Sequence, residues 1–96
     1  GHFPQRSVMP GVLIIEAMAQ VGGVLMLSQE QNLGKIAFFI AADKIKFRKT
    51  VTPGDQLVLE VEVIKVKSKT GQVRTRAKVD DKVVAEAELM FTLVES

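Results

Sequence analysis

The hydrophobic pattern of the chain changes once, near Gly34. Before this point apolar residues run almost without interruption from Val12 to Ser28, and Glu16 is the only charged residue among them. A segment that is apolar on every face predicts a helix enclosed by protein. We expect this helix to start just after Gly11 and to end within the polar residues 28–32.

Two glycines, Gly22 and Gly23, lie inside the apolar run. Each costs a helix about 1 kcal/mol relative to alanine, so we expect another backbone to approach closely at this point. The run is about as long as the ~18 apolar residues at which a membrane span is considered. Glu16, Gln20 and the two glycines favour a buried core helix over a membrane span.

After Gly34 apolar and polar residues alternate with a period of two, which predicts strands separated by turns. In the second strand the apolar positions change sides between Val63 and Ile64, which indicates either a bulge or a strand that extends beyond the sheet. A helix followed by an antiparallel meander predicts an α+β fold whose sheet wraps around the helix. The expected strands are Lys35–Lys49, Gln56–Ser68, Gln72–Val79 and Lys82–Val94.

The composition fits one globular domain over residues 1–96. With 96 residues, 47% of them hydrophobic, a single core is marginal, and a partner subunit is expected. The chain has no cysteine and one histidine, which argues against disulfides and a zinc site, so no metal is expected. Thirteen Lys and Arg against eleven Asp and Glu are too balanced for a protein that binds nucleic acid.

The chemistry is expected between His2 and Glu16, fourteen residues apart in the sequence. A histidine titrates near neutrality, and a carboxylate in an apolar setting can remain protonated, so the two form a candidate acid/base pair. Both residues also have structural interpretations, as a surface histidine and a helix-end carboxylate. Burial of an unpaired charge costs several kcal/mol, however, which favours a functional role for Glu16.

Three segments of the chain carry a specific combination of motifs: His2-Phe3-Pro4, Val8-Met9-Pro10-Gly11-Val12-Leu13 and Glu16-Ala17-Met18-Ala19-Gln20. Together they resemble the active site of the FabZ-type (3R)-hydroxyacyl-[acyl carrier protein] dehydratases. The similarity continues through residues 39–49 and 52–55 and covers nearly all of the chain. It implies a hot-dog fold, a homodimer with a continuous sheet, and commonly a trimer of dimers. It also implies a helix and a strand before the histidine loop in the native protein.

The resemblance implies removal of water from a (3R)-3-hydroxyacyl thioester to give the trans-2-enoyl thioester in type II fatty-acid biosynthesis. His2 of one subunit would face Glu16 of the other and act as the base for the α-proton. Glu16 would protonate the departing hydroxyl, directly or through a water. In the alternative division of labour His2 makes both proton transfers, and Glu16 only positions His2 and the water.

The resemblance assigns further roles around this pair. The N–H of Gly11, at the start of the helix, would polarise the thioester carbonyl. The backbone carbonyl of Val8 would accept a hydrogen bond from the imidazole, and Gln20, one turn after Glu16, would hydrogen-bond its carboxylate. Candidate residues of the substrate tunnel are Met9, Phe38 and Phe39, although such residues are more often ordinary core.

The substrate would arrive as a 4′-phosphopantetheine thioester on an acidic acyl carrier protein. Arg6, Lys46, Arg48 and Lys49 form a candidate docking patch, although charged strand faces are usually only solvated. No cofactor is expected, and a bacterial cytoplasm or plastid stroma is the expected compartment. The alternatives are a hot-dog acyl thioesterase and a non-catalytic module that binds the acyl carrier.

Overall fold

A computed structural model describes residues 10–96 of the chain. The predicted order of one helix followed by four strands is confirmed. Two of the predicted strands were too long. The first ends at Phe47 rather than Lys49, and the second runs from Val58 to Val66 rather than from Gln56 to Ser68. The elements are α1 (Gly11–Leu27), a short 3-10 helix (Glu30–Asn32), β1 (Lys35–Phe47), β2 (Val58–Val66), β3 (Thr70–Val79) and β4 (Lys82–Glu95).

The four strands form one antiparallel sheet in the order β1-β4-β3-β2. The strands β1 and β2 are therefore its edges, although they are neighbours in sequence. α1 lies across one face of the sheet and contacts all four strands. This face is called the inner face and the opposite one the outer face. The predicted α+β class is confirmed.

The core lies between α1 and the inner face. The helix buries residues at intervals of four, Ile14, Met18, Gly22 and Met26, which lie on one side because four residues are slightly more than one turn. Full burial of a methionine side chain contributes about 1.5–3 kcal/mol. The sheet contributes the buried side of the two central strands: Val73, Thr75, Ala77, Ala85, Ala87, Leu89, Phe91 and Leu93.

One side of α1 is not covered by any other part of residues 10–96. Val12 is 67% exposed and Val24 72% exposed. The expectation of a helix enclosed by protein is therefore wrong for the single chain. A single sheet layer can cover only one side of a helix, so the other side remains in contact with solvent.

The glycines of α1 approach side chains rather than another backbone. A Cβ atom at Gly22 would lie 3.1 Å from Val73 Cγ2 and 3.3 Å from Phe91 Cζ. At Gly23 the nearest contact would be an ordinary 3.6 Å to Phe91 Cε1. The expected close approach thus exists at Gly22, and its partners are side chains of the inner face.

The turns and the bulge follow local sequence chemistry. Asp80 and Asp81 both have positive φ, 52° and 64°, as a tight hairpin between β3 and β4 requires. The register of β2 against β3 shifts between Val63 and Lys65, which confirms the predicted bulge. No helix within residues 10–96 has both the length and the apolar character needed to cross a bilayer.

Candidate active site on the open face of the helix

Four of the candidate residues, His2, Arg6, Val8 and Met9, lie outside the described residues. Their proposed roles as base, docking residue, imidazole acceptor and tunnel residue therefore remain predictions. The described part of the site begins at the first turn of α1.

No side chain of the described residues caps the start of α1. Pro10 precedes the helix in an extended conformation, with φ −60° and ψ 141°, and makes no side-chain capping bond. The first turn contains no acidic residue. The first N–H groups of a helix have no partner within the helix and carry positive partial charge. This end of α1 is thus suited to an oxygen on which negative charge develops, as predicted for Gly11.

The ring of Phe47 lies against Gly11. A Cβ atom at Gly11 would be 2.7 Å from Phe47 Cζ, closer than side chains tolerate, so glycine is required for this contact. Phe47 ends β1 opposite the buried Ala85, which places its side chain on the inner face, yet the ring remains 52% exposed. Phe47 was not predicted as a site residue, because its only signal in the sequence is an aromatic residue near the end of the first predicted strand.

Glu16 and Gln20 lie one turn apart on the side of α1 that the sheet leaves uncovered, and both are exposed. Their exposed apolar neighbours on this side are Val12, Leu13 and Val24. These five residues are called the open face of α1. The described part of a single chain does not place the Glu16 carboxylate in an apolar setting, so the expected surroundings require a second apolar surface.

A groove of about 400 Å³ continues along this side of the helix beyond Gln20. It is lined by Gln20, Val21, Val24, Leu25 and Ser28, and its walls are almost entirely apolar. An apolar groove next to a lone carboxylate can accommodate a hydrocarbon chain or the apolar side of another helix.

The two candidate tunnel phenylalanines lie on opposite faces of the sheet. Phe39 pairs with Phe91 on the inner face, with ring centroids 5.9 Å apart. Phe38 pairs with Thr92 and points to the outer face. The chain therefore brings only Phe39 to the side of the helix, because neighbouring residues of a strand alternate between faces.

The candidate docking residues differ in whether an ion pair compensates their charge. The Nε of Arg48 lies 2.5 Å from Glu86 Oε2 on the neighbouring strand, so its charge is largely compensated. Lys46 and Lys49 are exposed, and neither forms an ion pair with another described residue. Among the described residues of this patch, the uncompensated positive charge therefore lies at Lys46 and Lys49.

A helix laid across an antiparallel sheet of this strand order defines the hot-dog fold. Solved structures share it: smu.793 from Streptococcus mutans bound to acetyl CoA has a TM-score of 0.80 at 19% identity, covering 93% of this chain and 68% of that one. An acyl-CoA hydrolase from Staphylococcus aureus has a TM-score of 0.81 at 17% identity, covering 93% and 56%. Similarity at this level of identity establishes the fold alone.

The sequence comparisons identify the family. A model described as FabA-like domain matches residues 1–88, and the chain belongs to this family. It is 56% identical over 95 residues to the 3-hydroxyacyl-[acyl-carrier-protein] dehydratase FabZ of Bacillus licheniformis, covering 99% of this chain and 66% of that protein. The FabZ of Clostridium kluyveri is 58% identical over 93 residues, covering 97% and 65%. The chain thus spans about two thirds of the length of these relatives.

Proposed function

We propose that the protein is a hydro-lyase that converts (3R)-3-hydroxyacyl-[acyl carrier protein] to trans-2-enoyl-[acyl carrier protein] in type II fatty-acid biosynthesis. The observation that carries this proposal is the open face of α1, where the only charged residue of the helix stands among exposed apolar side chains. Identity of 56% to a FabZ dehydratase supports the same reaction.

The elimination needs three groups, and the chain offers a candidate for each. His2 accepts the proton from C2, the electron pair forms the C2–C3 double bond, and the C3–O bond breaks. Glu16 gives its proton to the departing hydroxyl, directly or through a water, so that water leaves. Return of a proton from His2 to Glu16 restores the starting state. In the alternative, His2 makes both transfers and Glu16 positions it.

The thioester oxygen gains negative charge as the α-proton leaves. The N–H of Gly11 at the uncapped end of α1 is our candidate donor to this oxygen, since a preorganised donor is most effective where charge develops. Val8 and Gln20 are assigned supporting roles, Val8 through a carbonyl that fixes the imidazole tautomer and Gln20 through a hydrogen bond to Glu16. Met9 and Phe39 are retained as candidate tunnel residues. No cofactor takes part in this scheme.

A second copy of the chain is proposed to cover the open face. Val12 and Val24 leave a large apolar area in water, which soluble proteins usually cover with a partner. The edge strand β1 pairs only with β4 among the described strands, so its other edge is available to extend the sheet. In this homodimer His2 of one subunit meets Glu16 of the other, and three dimers form the hexamer.

The proposed partner is an acyl carrier protein with its substrate on 4′-phosphopantetheine. Lys46 and Lys49 supply the uncompensated charge of the docking patch, and Arg6 and Arg48 belong to the same patch. Such separate carrier proteins place the reaction in a bacterial cytoplasm or plastid stroma.

Hydration of a trans-2-enoyl thioester, the reverse reaction, tests the function. We expect loss of the enoyl ultraviolet absorbance without release of free thiol. We also expect Glu16→Gln to lower the rate by about 10²–10⁴-fold, the usual contribution of a general acid. Rapid release of thiol would instead identify a thioesterase. Binding of the acyl carrier without turnover would identify a non-catalytic module.

A further inference from the structure

The exposed ring of Phe47 has no role in the reaction scheme above. Its tip, Cζ, is the atom closest to the space beside Gly11, and Cε1 and Cε2 flank it at 3.0 and 3.2 Å from the position of a Cβ atom there. The ring thus meets the Gly11 backbone with its tip. About half of its surface, 52%, remains open beside the first turn of α1.

This arrangement pairs an apolar surface with polar donors. No side chain within residues 10–96 caps the first N–H groups of α1, and the ring of Phe47 lies against this end of the helix at Gly11. An oxygen that gains charge beside such a wall interacts more strongly with the N–H groups than in water, because the local dielectric constant is lower. Sulfur also makes favourable contacts with aromatic rings. A thioester, which combines a carbonyl oxygen and a sulfur, matches both features.

We propose that Phe47 forms the apolar wall of the thioester subsite and holds the thioester carbonyl against the N–H of Gly11. This inference rests on the proposed dehydratase function. It also explains why residue 11 is a glycine, since the methyl group of an alanine there would push the ring of Phe47 out of its position. Phe47 therefore acts on the reacting end of the substrate rather than on the far end of the acyl chain.

The test compares kcat and KM for hydration of a short and a long substrate, the crotonyl and dodecenoyl thioesters, in the wild type, Phe47→Leu and Phe47→Ala. We expect Phe47→Ala to lower kcat at least about tenfold, equally for both substrates, because misplacement of the reacting group costs transition-state stabilisation. Phe47→Leu, which keeps part of the wall, should lose less. Thermal unfolding of each variant verifies that it folds.

Val58→Ala is the matched control, because Val58 is also 52% exposed but lies on β2 at the other edge of the sheet. We expect it to retain the wild-type rate. Three results for Phe47→Ala would overturn the proposal: a higher KM with unchanged kcat, a decrease in kcat that is larger for the longer acyl chain, or unchanged kcat and KM. A wild type that hydrates neither substrate would overturn the dehydratase function itself, which distinguishes the two failures.

A double-mutant cycle tests the contact between Gly11 and Phe47. Gly11→Ala should lower the rate in the wild type, because its methyl group displaces the ring. In the Phe47→Ala background the same substitution should cost less than about threefold, since coupled residues are not additive. If the decrease in rate of the double variant equals the product of the two single decreases, Gly11 and Phe47 act independently, and this result would overturn the proposed wall.

Discussion

The side-chain amide of Asn32 donates a hydrogen bond to the backbone carbonyl of Met26 at 2.8 Å. Asn32 is wholly buried in the short 3-10 helix that follows α1. The Met26 carbonyl, at the end of α1, also accepts a hydrogen bond from the backbone N–H of Gln29 at 3.3 Å, so the Asn32 amide is its second and closer donor. The contact fixes the path of the chain from α1 into β1.

Substitution of Asn32 is expected to destabilise the fold. Asn32→Ala removes the shorter of two hydrogen bonds to the buried Met26 carbonyl, which should lower the free energy of unfolding by about 0.5–1.5 kcal/mol. Chemical denaturation measures this change. The control is Ser28→Ala, because Ser28 also donates to a carbonyl at the end of α1, at 2.7 Å from Leu25 O, but is exposed. A loss as large in Ser28→Ala would contradict the account.

The adjacent glycines of α1 should respond differently to alanine. At Gly23 the new methyl group makes only an ordinary contact, so Gly23→Ala should stabilise the helix by about 0.5–1 kcal/mol. At Gly22 the same group meets Val73 and Phe91 at 3.1 and 3.3 Å, and this crowding should cancel the gain or reverse it. Thermal unfolding of both variants measures the difference. A higher midpoint for Gly22→Ala than for Gly23→Ala would refute this reading of the packing.

Local patterns predicted the elements of this fold well. The alternation of apolar and polar residues after Gly34 predicted the four strands, and the change of sides between Val63 and Ile64 indicated the bulge in β2. Each of these features depends on residues close together in the sequence, so it is visible without the structure.

The remaining features depend on distant contacts. A helix that is apolar on every side gives no sign of which side meets the sheet, so the open face was not predicted. The ion pair of Arg48 with Glu86 and the contact of Gly11 with Phe47 join residues from different elements. Phe38 and Phe39 are adjacent and identical, so the sequence did not show which of the two faces the helix and which lies on the outer face of the sheet.

Disruption of the open face should dissociate the proposed dimer. Val24→Asp places a charge at the most exposed apolar residue of α1, where burial against a partner would cost several kcal/mol. We expect analytical ultracentrifugation to show monomers and the hydration activity to be lost. Val58→Asp, on the outer face, should stay dimeric and active. A dimeric, fully active Val24→Asp would exclude this face as the interface.

Charge reversal in the docking patch should affect only substrates on a carrier protein. Lys46→Glu with Lys49→Glu should raise KM for an acyl carrier substrate by about tenfold at low salt, since such electrostatic steering changes association by at least this factor. KM for a free pantetheine thioester should not change. The effect should shrink as ionic strength rises.

Lys65→Glu is the control for this charge reversal, because Lys65 lies on β2, at the opposite edge of the sheet from β1. An equal effect of Lys65→Glu would show that overall charge, rather than this patch, determines carrier binding.

The pairing of His2 with Glu16 across two subunits is tested most directly by mixing two inactive variants. His2→Ala and Glu16→Ala should each fail to hydrate an enoyl thioester alone. After subunit exchange half of the dimers are mixed and each has one intact site, so the mixture should recover about a quarter of the wild-type rate. A mixture that stays inactive, with mixed dimers verified by mass spectrometry, would contradict a site shared between subunits.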